Sequence, residues 1–184
     1  MKKQLTICVY GAASNNIDFH FVDKVEELGR ELASRGHILI YGGGGCGLMG
    51  AVARGVSEEN GEIIGVVPDF MNEFEDIYSK CTTTITTKTM AERKKYMEQK
   101  ADAFVIVPGG IGTMDEFFQI LTLIELKRKK APVIIFNIAR FYNSIIDYID
   151  TSIEKGFIQP AVRDLFSVQD SASEVLDAIE EMLF

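Results

Sequence analysis

What this chain has little of narrows its function first. It carries only three cysteines, Cys8, Cys46 and Cys81, odd in number, far apart and without CxxC spacing. That pattern is neither a disulfide framework nor a zinc site, and it fits a reduced, cytoplasmic protein. Two histidines, His20 and His37, are too few and too scattered for a histidine-based metal cluster, so no metal is expected. Basic residues are outnumbered, with 19 Lys and Arg against 27 Asp and Glu and a formal net charge of −8. A nucleic acid polymer or an anionic membrane needs a basic face, so neither is an expected partner. No apolar run reaches the roughly 18 residues of a membrane span. The segment Met1-Lys2-Lys3-Gln4-Leu5 has two lysines, but the apolar stretch behind it stops at Gly11 without a cleavage-site pattern. It reads as a first strand and not as a signal peptide.

What is present is ordinary globular material. The 184 residues are 47% hydrophobic and 25% charged, enough for a real core in a single domain over 1–184. Short apolar runs alternate with longer helical patterns. Strands are expected at Leu5–Tyr10, His37–Tyr41, Ile63–Val67, Ala103–Val107 and Pro132–Phe136, with a short Thr-rich one at Thr82–Thr87. Helical spacing fills about 18–35, 48–59, 90–101, 113–128, 141–155 and 171–184. Strands separated by helices imply crossover connections and a mostly parallel sheet covered on both faces, an α/β fold. Ligands of such sheets bind outside the carboxyl ends of the strands. Two glycine-rich turns fall at such ends, after Tyr41 and after Val107.

The first turn is Gly42-Gly43-Gly44-Gly45-Cys46-Gly47. It fits G-x-G-x-x-G, the dinucleotide fingerprint, but follows the second strand and not the first, and Glu62 opens a strand where the acidic residue should end one. Leu48 stands where a Walker loop has lysine. Either a tight turn with close helix packing or ligand contact by Gly43 and Gly44 accounts for it. The second turn, Pro108-Gly109-Gly110-Ile111-Gly112-Thr113-Met114-Asp115-Glu116, suits a phosphate. Glycines bare the backbone N–H groups, and the following helix offers its positive dipole end. Thr113 and Glu116 have capping-box spacing, so Glu116 is either a cap or a carboxylate poised beside the phosphate loop. In the helix at 90–101, Met90, Met97 and Ala101 make a narrow apolar stripe, flanked by Arg93 and Lys94. An arginine beside an inward face needs a partner, an internal carboxylate or an anionic ligand. The helix at 113–128 carries Phe117, Phe118, Ile120, Leu121, Leu123, Ile124 and Leu126, an arc wider than one sheet contact needs. A homodimer interface is expected there.

These motifs carry a resemblance. Pro108–Glu116 resembles the PGGxGTxxE signature of the Lonely Guy (LOG) family, the cytokinin riboside 5′-monophosphate phosphoribohydrolases once labelled lysine decarboxylases. Gly42–Gly55 resembles the family's GGGxxGLMGAV turn and helix, and Met90–Lys94 its M-H-E-R-K segment. Order and spacing agree over roughly residues 5–180. The resemblance implies a Rossmann-like three-layer sandwich in a single domain, homodimeric, that hydrolyses the N-glycosidic bond of a nucleoside 5′-monophosphate to free base and ribose 5-phosphate. It implies Arg93 and Glu116 as the catalytic pair. It also implies Lys94 and the stretch Gly109, Gly110, Ile111, Gly112, Thr113, Met114 and Asp115 at the substrate, with Thr122 and Glu75 as further contacts. Ala91, Leu123 and Asp115 depart from the family's usual histidine, tryptophan and glutamate, and the loop at 69–76 is unusually acidic. Those departures bear on which base is accepted.

No cofactor is expected. The decarboxylase label would imply pyridoxal phosphate, yet no lysine with an aspartate partner for the pyridinium nitrogen stands out. Breaking the ribosyl bond builds oxocarbenium-like charge, which a carboxylate such as Glu116 can stabilise while Arg93 orients it. The alternatives are a non-catalytic nucleotide or pterin-type cofactor binder on the same scaffold, a dinucleotide oxidoreductase, and a Cys46 nucleophile that lacks a motif histidine.

Overall fold

Runs such as Ile7-Cys8-Val9-Tyr10 and Val133-Ile134-Ile135-Phe136 are apolar at every position, as strands covered on both faces must be. The computed structural model describes residues 3–73 and 76–184. Its strands are β1 (Thr6–Tyr10), β2 (Ile38–Tyr41), β3 (Glu62–Pro68), β4 (Thr83–Thr87), β5 (Ala103–Ile106), β6 (Val133–Phe136) and β7 (Ser167–Gln169). They form one sheet in the order β4-β3-β2-β1-β5-β6-β7, and every neighbouring pair is parallel. The helices are α1 (Phe19–Ser34), α2 (Gly47–Glu58), α3 (Met90–Lys100), α4 (Ile111–Glu125), α5 (Asn143–Glu154) and α6 (Ala172–Leu183).

Two apolar cores cover the two faces of the sheet. On one face, Val25 and Leu28 of α1, Val52 and Val56 of α2, and Val175 and Ile179 of α6 pack on Ile7, Val9 and Leu39. On the other, Met97 of α3, Phe117 and Ile120 of α4, and Ile149 of α5 pack on Cys8, Tyr10, Phe104 and Ile135. The expected three-layer, Rossmann-like α/β architecture is therefore observed. The chain order reverses direction between β1 and β5, so the loops after those strands part there and leave a crevice at the carboxyl edge. Helices α3 and α4 flank that edge on the second face.

Three local expectations need correction. Strand β7 was not anticipated, because Ser167-Val168-Gln169 is short and half-buried at the sheet edge and has no apolar run to announce it. Met90 is exposed and lies outside the apolar stripe of α3, which rests on Met97 and Ala101. Helix α4 begins at Ile111 with Gly110 as its N-cap, so Thr113 is already inside the first turn and is not the cap of a Thr113–Glu116 box. A Thr-x-x-Glu cap does occur, at the start of α3. There the Thr89 side chain accepts from the Glu92 amide at 3.1 Å, and Glu92 Oε2 accepts from the Lys88 amide at 2.8 Å.

Candidate active site

The cap at Thr89 fixes where α3 starts, and thereby aims Arg93 inward over the carboxyl ends of β2 and β3. Arg93 Nε donates to the carbonyl of Val66 in β3 at 3.1 Å. Its guanidinium lies over the turn after β2, where a Cβ built on Gly42 would stand 2.0 Å from Nη2. Only a residue without a side chain leaves that space. Arg93 Nη1 then reaches to 3.6 Å from Glu116 Oε1, and both side chains are nearly buried, at 13% and 11% exposure. Glu116 is thus the partner that an inward arginine requires, and not a helix cap.

Beneath Glu116 lie Cys8 and Tyr10 of β1, fully buried, with the Tyr10 ring stacked on Phe104 at 6.1 Å. Burial, reinforced by the nearby Glu116 charge, pushes the Cys8 thiol and the Tyr10 hydroxyl well above their ordinary values. Both stay neutral at physiological pH, so the floor under Glu116 carries no competing charge.

The second glycine turn feeds α4. Its N-cap, Gly110, supplies no side-chain acceptor to the first turn, which leaves backbone N–H groups aimed at the crevice. A Cβ on Gly110 or Gly112 would meet nothing within 4 Å, so neither glycine is demanded by internal packing. Their lack of side chains keeps the space above the helix N-terminus open, as close approach of an anion requires. Thr113 is buried, and its side chain fills the space beneath Gly109, where an added Cβ would stand 2.1 Å from Oγ1. Its offering to a ligand is therefore its amide. Ile111 is 91% exposed at the mouth, whereas Met114 packs inward against the core. On the rim, Lys94 Nζ donates to Asp115 Oδ2 at 2.9 Å.

Much of the first glycine turn serves as scaffold. Gly43, at φ +82°, accepts from the Tyr78 amide at 2.9 Å, and the Gly45 amide donates to the Asp76 carbonyl at 2.7 Å. Gly44 bridges to Ile77, so this turn pins residues 76–78 beside the site. At the head of α2, the Leu48 and Met49 amides bond the Ala12 carbonyl, and the Gly47 amide bonds Asn15 Oδ1. Amides that a dinucleotide pyrophosphate would need are already engaged, which removes the physical basis for the fingerprint reading.

The structure thus brings together Arg93, Glu116, Lys94, Asp115 and the amides of the 110–113 segment. It sets Thr122 apart, because six residues beyond Glu116 is about 9 Å further along the helix. Thr122 Oγ1 bonds the Phe118 carbonyl and lines a separate cleft with Phe157 and Ile158. Glu75 lies outside the described residues. Sequence reasoning missed Gly42 and the Val66 carbonyl as the arginine's supports. Gly42 stood in the motif, but its packing against Arg93 depends on the sheet order. Among the described residues, no group of three or more His, Cys, Asp or Glu could hold a metal ion, and no helix is long and apolar enough to cross a membrane.

An open parallel sheet with an uncapped helix N-terminus and a nearly buried arginine–carboxylate pair at its carboxyl edge defines an α/β protein with its candidate site at the usual place for such sheets. Residues 49–179 match the family described as "Possible lysine decarboxylase". The chain is 34% identical over 175 residues to the cytokinin riboside 5′-monophosphate phosphoribohydrolase LOG3 of Arabidopsis thaliana, covering 95% of this chain and 81% of the relative. It is 35% identical over 175 residues to the corresponding LOG enzyme of Oryza sativa subsp. japonica, covering 95% and 72%. In three dimensions it resembles the molybdenum cofactor carrier protein of Chlamydomonas reinhardtii, with TM-score 0.74, 23% identity and 98% and 99% of the two chains covered. The chain belongs to the LOG family.

Proposed function

We propose that this protein hydrolyses the N-glycosidic bond of a purine nucleoside 5′-monophosphate, releasing free base and ribose 5-phosphate. The observation that carries the reading is the Arg93–Glu116 pair standing beside the open N-terminus of α4. The curated relatives bear the names of enzymes of this reaction, and their similarity extends along 95% of the chain.

In this reading the phosphate seats on the amides of residues 110–113. Lys94 and Asp115 frame the rim. The bond between C1′ and the base nitrogen lengthens, and positive charge gathers on the ribose. The Glu116 carboxylate meets that charge and takes a proton from the attacking water as its oxygen bonds C1′. The bonding pair leaves with the base, whose nitrogen takes up a proton. Arg93, held by Val66 and given room by Gly42, faces the carboxylate and keeps it aimed. The exposed apolar face of α4 and α5, with Phe118, Leu126 and Tyr148, would pair two copies as a homodimer.

The test is incubation with a panel of nucleoside monophosphates, ribosides and free bases, read by product chromatography. Base and ribose 5-phosphate should appear in equal amounts from monophosphates alone. AMP binding by calorimetry with no base released over hours would instead point to a carrier or sensor.

A further inference from the structure

A large cavity lies away from the site, at the amino ends of β6 and β7. It is a groove of about 780 Å3, within the roughly 300–1,000 Å3 of small-molecule sites. Its floor is apolar and buried, with Val133 and Phe166, and its outer wall is Met182 and Leu183 of α6. Along one lip runs Lys127-Arg128-Lys129-Lys130, in a chain whose net charge is −8.

Most of that basic run has no internal task. The α4 carbonyls that face it are capped by backbone groups, with the Lys127 amide on the Ile124 carbonyl and the Arg128 and Lys129 amides on Leu123. Side chains are therefore not needed to satisfy the helix end. Lys129 is structurally employed, since its Nζ bonds the Ala101 carbonyl at 2.7 Å and lies over the Phe104 ring. Lys127, Arg128 and Lys130 form no ion pair or side-chain hydrogen bond among the described residues. Lys127 also sits at φ +56°, in a cap position where glycine is the unstrained choice. Inside the groove, Ser167 Oγ is shielded from solvent and has no hydrogen-bond partner among the described residues. Such a hydroxyl is rare in a folded protein and calls for an acceptor.

We propose that this groove binds a soluble amphipathic carboxylate of the medium-chain fatty-acid type, at a site separate from the Arg93–Glu116 crevice. The alkyl chain lies along Val133, Phe166 and Met182. The carboxylate turns to the lip formed by Lys127, Arg128 and Lys130. Ser167 donates to the same head group. Asp164 also lines the groove, and its charge confines the head group to the basic side. The groove is concave and its floor is buried, so a flat bilayer cannot reach Phe166. This inference is independent of the proposed hydrolase activity.

The experiment titrates the full chain with decanoate below its micelle concentration, by calorimetry and by amide NMR. Decanol, AMP and anionic phospholipid vesicles are run in parallel. The expected result is saturable one-to-one decanoate binding, with shifts at residues 128–133 and 165–167 and no competition from AMP. Decanol should bind at least tenfold more weakly. The triple variant Lys127→Glu/Arg128→Glu/Lys130→Glu should lose at least tenfold in affinity, and Ser167→Ala several-fold. Met182→Glu, a change at an exposed wall position, should weaken binding while leaving the fold intact. Absence of saturable binding would overturn the proposal. So would equal affinity for decanol, indifference to the charge reversal, shifts centred on residues 110–116, or a response to vesicles alone.

Discussion

Arg93 Nη1 stands 3.6 Å from Glu116 Oε1 in a nearly closed setting, near enough for strong Coulombic attraction but beyond hydrogen-bond length for that atom pair. The arginine is also anchored on the Val66 carbonyl, so its position over the crevice does not depend on the carboxylate alone. From this follows the first expectation. Glu116→Gln keeps the shape and removes the charge, and should lower base release from AMP by about 10²–10⁴-fold, as loss of a positioned general base does. Circular dichroism and melting should confirm an intact fold. Wild-type turnover in that variant would falsify the assigned role.

Gly110 and Gly42 separate ligand space from packing space. Gly110→Ala introduces a methyl group that touches nothing in the protein. It should leave the melting temperature within a few degrees of the parent and raise KM for a monophosphate by about tenfold, the effect of one lost or crowded contact worth about 1.4 kcal/mol. Gly42→Ala places a methyl group against the Arg93 guanidinium and should reduce kcat as well. Steady-state kinetics on the two variants distinguishes the cases, and an unchanged KM in Gly110→Ala would remove the phosphate from that amide cradle.

Lys127 occupies the glycine position of a helix C-cap, with its own amide bonded to Ile124 and the Arg128 amide to Leu123. Lys127→Gly relieves the left-handed strain, offset in part by added freedom of the unfolded chain. Net stabilisation of about 0.5–1 kcal/mol is expected. For a chain of this size, each kcal/mol is about 2–4 °C in melting temperature. A lower melting temperature would show that the lysine stem contributes packing that outweighs the strain. The same variant should bind decanoate more weakly.

Glu98 lies between α3 and α4, where Gln119 Nε2 donates to its carboxylate. Burial pushes its carboxyl above the ordinary value, against the opposing effects of Gln119, Lys94 and Lys129. A carboxyl whose folded value is raised binds more protons in the native state than in the unfolded one. Its contribution is therefore full below the unfolded value of about 4.3 and declines as pH rises through the folded one. Glu98→Gln should consequently melt higher than the parent at pH 7, with the gap closing toward pH 4. Melting curves at the two pH values check the sign.

The sheet and its crossovers were legible because buried parallel strands write themselves as unbroken apolar runs. The phosphate loop was legible because Gly110 and Gly112 are local features that a helix start follows directly. Other parts were not legible, for separate reasons. Thr113 and Glu116 have the spacing of a cap, but the cap fell to Gly110, since the turn enters the helix two residues early. The service of Gly42 to Arg93 depends on β2 and β3 lying side by side, which spacing along the chain does not reveal. β7 relies on its neighbour β6 for its existence, having only Val168 as an apolar residue of its own. Thr122 matched a family position, yet within one chain the helix carries it to another face.

The support of Arg93 by Val66 and Gly42, and its reach to Glu116, bear also on how the protein comes into being. These four residues come from β3, the turn after β2, α3 and α4, so the crevice is complete only when those four elements have assembled. Proteolysis near residue 60 separates Gly42 and β2 from Val66, Arg93 and Glu116. Base release is consequently expected to report the assembly of β2, β3, α3 and α4. The rate at which it returns on dilution from denaturant should track the slow, long-range pairing of the central strands and not the fast formation of individual helices.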